Sequence, residues 1–191
     1  MVSESDVDID VPNREEVLKL IRHVRAMQVQ EGSPRPHNSG IYVSPIPVDL
    51  EHQCATIDYK TAEAAGYYKL DILNVHVYTL IKSPAHYERL MSLPIPWQRL
   101  KDRKFVEGLI HLNRWYDTIE AQPEPIDSIP RLAMFLAAIR PAKKHLLGKP
   151  WKEIAETIWD TSDDAYAFKR SHSVSYAFLV ALHMRILNDS E

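Results

Sequence analysis

The sequence predicts an α+β fold, a small sheet followed by a larger helical part, and three observations predict it. Short alternating or β-branched runs near residues 5–11, 41–43 and 67–73 suit strands. After Pro84, one segment after another carries apolar residues at helical spacing. The chain also has only 5 glycines beside 13 prolines, which suits helices punctuated by proline better than a large sheet with tight glycine turns. With 191 residues, 45% of them hydrophobic, there is material for a real core, divided as a sheet-bearing part over 1–83 and a helical part over 84–191.

The first strand is the most informative. Along an extended chain, Asp6, Asp8 and Asp10 point one way and Val7, Ile9 and Val11 the other. Aspartate is a poor strand former, and like charges on one face repel unless a cation sits among them. A hard divalent ion suits such oxygens; a solvated acidic terminus is the plainer alternative. Asn13 and Glu16 make a capping-box pattern, and Val17, Leu20, Ile21, Val24 and Met27 predict a helix from 14 to about 29 behind the strand. Glu31–Gly40 reads as a Gly-, Ser- and Pro-rich loop carrying Arg35 and His37. Ile41-Tyr42-Val43 is a short strand stopped by Pro45 and Pro47, and 59–65 a short helix ended by Gly66.

In the run 67–73, Tyr68, Leu70 and Ile72 share one strand face and Lys69 and Asp71 the other, so a second acidic strand is available to meet Asp8 and Asp10. Leu73, Val77, Leu80 and Ile81 carry the chain on into a helix. Beyond it, helices are predicted over 85–92, about 100–120, 129–139, 151–159 and 172–187, with Asp127 or Ser128 capping the third. Their stripes are explained by bundle packing.

The bulk numbers exclude several classes. A net charge of −3 gives no overall field to attract nucleic acid, so any such contact must be a local patch. A lone Cys54 makes no internal disulfide, which suits a reducing, cytoplasmic compartment and a buried thiol rather than a nucleophile. The first residues are acidic, unlike a secretory signal, and the apolar run Val174–Leu187 is too short and too interrupted to span a membrane.

Three islands in order resemble the palm region of bacterial DNA polymerase III alpha subunits, the family C polymerases. Asp6-Val7-Asp8-Ile9-Asp10-Val11-Pro12 with Arg14-Glu15-Glu16-Val17 is similar to the family's Asp-Ile-Asp-Ile-Asp-Phe-Pro strand and following helix. Glu63-Ala64-Ala65-Gly66-Tyr67-Tyr68-Lys69-Leu70-Asp71-Ile72-Leu73 is similar to Glu-x-x-Gly-Leu-x-Lys-Phe-Asp-Phe-Leu. Phe168-Lys169-Arg170-Ser171-His172 through Tyr176-Ala177 is similar to Phe-Asn-Lys-Ser-His-x-x-x-Tyr-Ala. Pro34-Arg35, His37 and Gly40-Ile41 form a weaker likeness to its Arg-His-x-Gly-Ile-His loop, and Leu136–Pro141 to its Ala-Leu-x-Arg-Pro-Gly.

The resemblance implies a palm-like, nucleotidyltransferase-like sheet, followed by a helical region like part of the fingers. It implies that Asp8, Asp10 and Asp71 hold catalytic Mg²⁺ for transfer of a nucleotide from a dNTP to a primer 3′-OH in DNA replication. Arg35, His37, Lys69, Lys169, Arg170, Ser171 and His172 become candidates for contacting primer-template DNA or nucleotide phosphate. Plainer roles stand beside these: a salt bridge from Lys69 to Asp10 or Asp71, a solvated His37, and Ser171 as the cap of the last helix. The family's Gly-Ser-rich segment before the aspartate strand, which cradles the triphosphate, has no counterpart here, and its place is expected to be taken by a second polymerase subunit. The expected setting is a bacterial cell or a bacteriophage-infected host. The alternative is a non-catalytic palm that docks replication proteins or DNA.

Overall fold

A computed structural model describes residues 7–160 and 169–190. Asp6, and Phe168 at the head of the third island, lie outside the described residues. The chain divides into two compact units, Met1–Leu80 and Ile81–Glu191.

The first unit is built on a four-stranded mixed sheet of order β1-β6-β3-β2. Its elements are β1 (Val7–Val11), α1 (Arg14–Leu20), β2 (Val24–Gln30), β3 (Ser33–Tyr42), a small hairpin of β4 (Val48–Asp49) and β5 (Cys54–Ala55), α2 (Tyr59–Ala64) and β6 (Leu70–Asn74). β1 runs parallel to β6, and β3 runs antiparallel to both β6 and β2. One face of the sheet buries Val11, Ile41 and Ile72 against Leu18 of α1. A second cluster, including Ala26, Met27, Tyr42, Cys54 and Ala62, seats α2 and the small hairpin.

Three expectations for this unit need correction. The helix expected over 14–29 ends at Leu20, and Val24–Gln30 is a strand. Leu20 is 84% exposed, so the helical stripe is broken there, and Ile21 is already extended. With the helix this short, Val7 and Ile9 at the sheet edge stay 40% and 39% exposed instead of packing behind it. The loop expected over Glu31–Gly40 is mostly strand. Glu31 and Gly32 both take positive φ (52° and 78°) and form the two-residue turn that returns β2 into β3. Pairing starts at Gln30–Ser33, so alternation puts Pro34 and Pro36 at sites where no ladder N–H is needed. Finally, β6 leads into a single 3₁₀ turn, His76–Leu80, rather than an α-helix.

The second unit is helical: α3 (Pro84–Ser92), a 3₁₀ turn Trp97–Lys101, α4 (Arg103–Gly108), α5 (Tyr116–Glu120), α6 (Ile129–Ala138), a 3₁₀ turn Pro141–Leu146, α7 (Trp151–Thr157) and α8 (Arg170–Asp189). Its core gathers Leu132, Phe135 and Leu136 of α6 with Ile154 of α7 and Ala177, Val180 and Met184 of α8. The helix expected over 100–120 is interrupted. Asp102 caps α4 by accepting from the N–H groups of Lys104 and Phe105, Leu109 is extended, and His111 takes a left-handed φ of 62°. Ser128 takes the N-cap position of α6 without a side-chain cap bond, while Asp127 binds Arg131 at 3.0 Å. Ser171 does not cap the last helix, because α8 already begins at Arg170 behind an extended Lys169. Among the described residues, no helix is long and apolar enough to cross a membrane.

Candidate active site

The candidate site is the face of the first unit's sheet that α1 leaves uncovered. Parallel register puts Asp8 of β1 directly beside Asp71 of β6, with Asp10 one side-chain step further along β1. Register partners in neighbouring strands share a face, so the three carboxylates lie on one side, opposite the Val7–Leu70 and Ile9–Ile72 pairs. Asp8 is exposed, Asp10 half-buried and Asp71 buried. Burial, and secondarily the charge of Asp8, hold the Asp10 carboxyl above its usual range.

On the other side of Asp71 stands β3, where a bulge sets the geometry. β2 pairs Arg25 with Ile41 and Met27 with Pro36, so Ala26 alone faces the four residues His37–Gly40. The extra residues curl around the His37 ring, whose Nδ1 accepts the N–H groups of Gly40 (2.9 Å) and Ser39 (3.3 Å). The same Nδ1 approaches Asp71 Oδ1 to 3.8 Å.

Both oxygens of Asp71 are engaged. Ser39 Oγ donates to Oδ1 at 2.6 Å, and the Lys69 ammonium donates to Oδ2. Lys69 is itself only 7% exposed, and its Nζ lies 5.8 Å from the centre of the Tyr59 ring. A Cβ built on Gly40 would come within 2.9 Å of Lys69 Cδ, 3.0 Å of His37 Nδ1 and 3.1 Å of Ala26 Cβ. Gly40 has no positive φ, so what it supplies is space. No family model matches this chain, and no curated protein matches it.

The donor set on this face is of the type a hard divalent ion takes, and burial, followed by the charge of Asp8, already raises the Asp10 carboxyl. As the side chains stand, Lys69 neutralises Asp71, and no group of three His, Cys, Asp or Glu side chains among the described residues is arranged to hold a metal ion.

The remaining candidates lie elsewhere. Arg35 is paired with Gln28 on the hairpin and lines a groove with Pro34, Pro36, Asn38 and His52. Lys169, Arg170, Ser171 and His172 open α8 in the second unit, where Arg170 lies 5.8 Å from the Trp159 ring centre. Cys54 is buried, and burial followed by Asp49 pushes its thiol up, as suits packing rather than nucleophilic chemistry. Sequence reasoning missed Ser39, Gly40 and Tyr59. Only Gly40 left a trace, as part of the Gly40-Ile41 pair in the weaker loop likeness.

Proposed function

We propose that the carboxylate face is a palm-type nucleotidyl-transfer centre similar to that of DNA polymerase III alpha. In this reading it acts in DNA replication, adding nucleotides to a primer 3′-OH, with a second subunit supplying the triphosphate-binding segment. The observation that carries this is the register: Asp8 directly opposite Asp71 on parallel strands, with Asp10 next on the same face. Asp8, Asp10 and Asp71 would hold Mg²⁺, which when bound supplies charge neutralisation at phosphate and activation of the attacking oxygen. Ser39 holds Asp71 in orientation through its hydroxyl, and the α1 packing fixes the far side of the two aspartate strands. In this reading Arg35 on the β2–β3 hairpin, and Lys169, Arg170, Ser171 and His172 at the head of α8, would contact nucleic-acid phosphates.

A second reading, a non-catalytic palm that docks replication proteins or DNA, is favoured by one observation: Asp71 is already neutralised by Lys69. Primer extension with Mg²⁺ separates the two, run on the wild type, Asp8→Asn and Asp71→Asn with and without candidate replication subunits. The catalytic reading expects extension by the wild type and its loss in both variants. Equal inertness of all three, with a melting temperature that ignores Mg²⁺, would refute it, and capture of a replication protein by the wild-type chain would then support docking.

A further inference from the structure

We infer that the second unit carries a small-molecule site, a cavity that takes an uncharged planar ring bearing a carboxamide or lactam edge. The inference does not rest on the reading of the carboxylate face. The cavity, about 390 Å³, is within the size range of small-ligand pockets, and Leu100, Ile119 and Ile126 line it together with Trp97 and Tyr116. Lys101 and Glu120 add one charge of each sign, so the lining has no net charge to select an ion. The walls are tied in place without a ligand. The Tyr116 hydroxyl donates to the Lys101 carbonyl at 3.1 Å, and Trp151 Nε1 donates to the carbonyls of Glu124 and Pro125 at 3.2 and 3.1 Å.

Gln122 makes this hollow a site. It lines the cavity and is only 9% exposed, yet among the described residues neither Nε2 nor Oε1 of its side chain has a hydrogen-bond partner, and both atoms are buried. The large majority of buried amides are satisfied, because an unmade bond leaves the full desolvation cost of the group. The local sequence explains the orphan. Pro123 and Pro125 bring no N–H, and the carbonyls of Glu124 and Pro125 are engaged by Trp151. Turning the Gln122 side chain into the cavity therefore breaks no hydrogen bond of its amide. That amide offers a donor and an acceptor on one planar edge, so a ligand that satisfies both must carry an acceptor and a donor side by side. A carboxamide or lactam does so, whereas a carboxylate has only acceptors and a hydrocarbon has neither. Contact of the ring with the aromatic and aliphatic lining supplies the rest of the affinity.

Benzamide, titrated into the 191-residue chain and followed by the NMR signal of the Gln122 side-chain NH2 group, tests this, with toluene and benzoate as comparison ligands. The wild type should bind benzamide at least about tenfold tighter than toluene or benzoate, from the two hydrogen bonds gained, and the NH2 signal should move. Gln122→Met keeps the length of the side chain and removes the amide. It should weaken benzamide about tenfold, bind toluene no more weakly, and keep or raise the melting temperature, since an orphaned amide is lost. Should it fail to fold, Gln122→Leu replaces it with the same expectation. Lys101→Ala, which removes an exposed side chain of the lining, should leave benzamide binding unchanged. Equal binding of benzamide and toluene by the wild type would overturn the inference, as an apolar hollow only. A benzamide affinity that Gln122→Met leaves unchanged, or that Lys101→Ala lowers as much, would overturn it too. Absence of saturable benzamide binding would overturn the site itself.

Discussion

The Lys69–Asp71 pair should dominate the stability of the first unit, and its contribution can be worked from its burial. The two side chains are only 8% and 11% exposed, so neither charge is well hydrated once its partner is removed. Breaking such a pair from one side leaves a buried, uncompensated charge and costs about 3–5 kcal/mol. Asp71→Asn should fall near the lower end, about 3 kcal/mol, because its amide oxygen can still accept from the ammonium while its NH2 group donates to the Ser39 hydroxyl. Lys69→Met leaves the carboxylate with Ser39 alone and belongs near the upper end. The double variant carries no net charge and keeps the volume of the stem, so it should return to within about 1–2 kcal/mol of the wild type. Out of a total of roughly 5–15 kcal/mol for a folded domain, the single losses are large. The assay is urea denaturation in chelator, read by hydrogen exchange in peptides covering β3 and β6. Intrinsic tryptophan fluorescence is the wrong probe, since Trp97, Trp115, Trp151 and Trp159 all belong to the second unit. Single variants that each cost under about 1 kcal/mol, or a double variant that costs the sum of the two, would refute a buried, mutually dependent pair.

Gly40→Ala should destabilise by about 1–3 kcal/mol in thermal melts, because a Cβ there overlaps the lysine stem, and an unchanged melt would mean that the stem has room to move. Asp10 has a raised carboxyl, so its ionisation opposes folding as pH rises from the usual carboxylate range through the folded value. At pH 7, Asp10→Asn should therefore stabilise the metal-free protein, by under about 1 kcal/mol after solvent screening, and a loss of stability would contradict this. His111 is held below its ordinary value by burial and then by Arg140, so the stability it contributes is present above pH 6.5 and is lost as pH falls from there toward the folded value. His111→Asn, which tolerates the left-handed backbone, should narrow the difference between urea midpoints at pH 7.5 and pH 5, and an unchanged difference would exclude His111 as the source.

Where one local signal decided an element, the sequence was sufficient. Alternation in Val7–Val11 requires a strand, the Gly66 φ of 87° ends α2 where a glycine was expected to end it, and Pro130 sits in the first turn of α6. Where two periods overlap, it was not. Val17, Leu20, Ile21, Val24 and Met27 fit a helix, but Val24–Gln30 forms a strand because the Glu31–Gly32 turn supplies it with a partner. That turn was hidden by Pro34 and Pro36, which argue against a strand unless the pairing phase is known. The same distinction holds at the site. The shared face of Asp8 and Asp10 follows from the period of a strand, but Ser39, Gly40 and Tyr59 depend on a bulge and on contacts across the fold. No short window of sequence contains these.

The electrostatics of this face bear on why it exists. Three carboxylates share it with the buried Lys69 ammonium, and burial, followed by the nearby charge of Asp8, holds the Asp10 carboxyl above its usual range. Folding has no use for that crowding, since a threonine or valine at either position would suit a strand better and repel nothing. The chain nonetheless puts poor strand formers in register with one another, and places one of its few glycines where it seats the Lys69 stem. Local rules broken together, on one face and with no gain in packing, are what a binding or catalytic centre requires. The acidic side chains on this face set the sign of what such a centre would take: a cation, or a ligand that brings one.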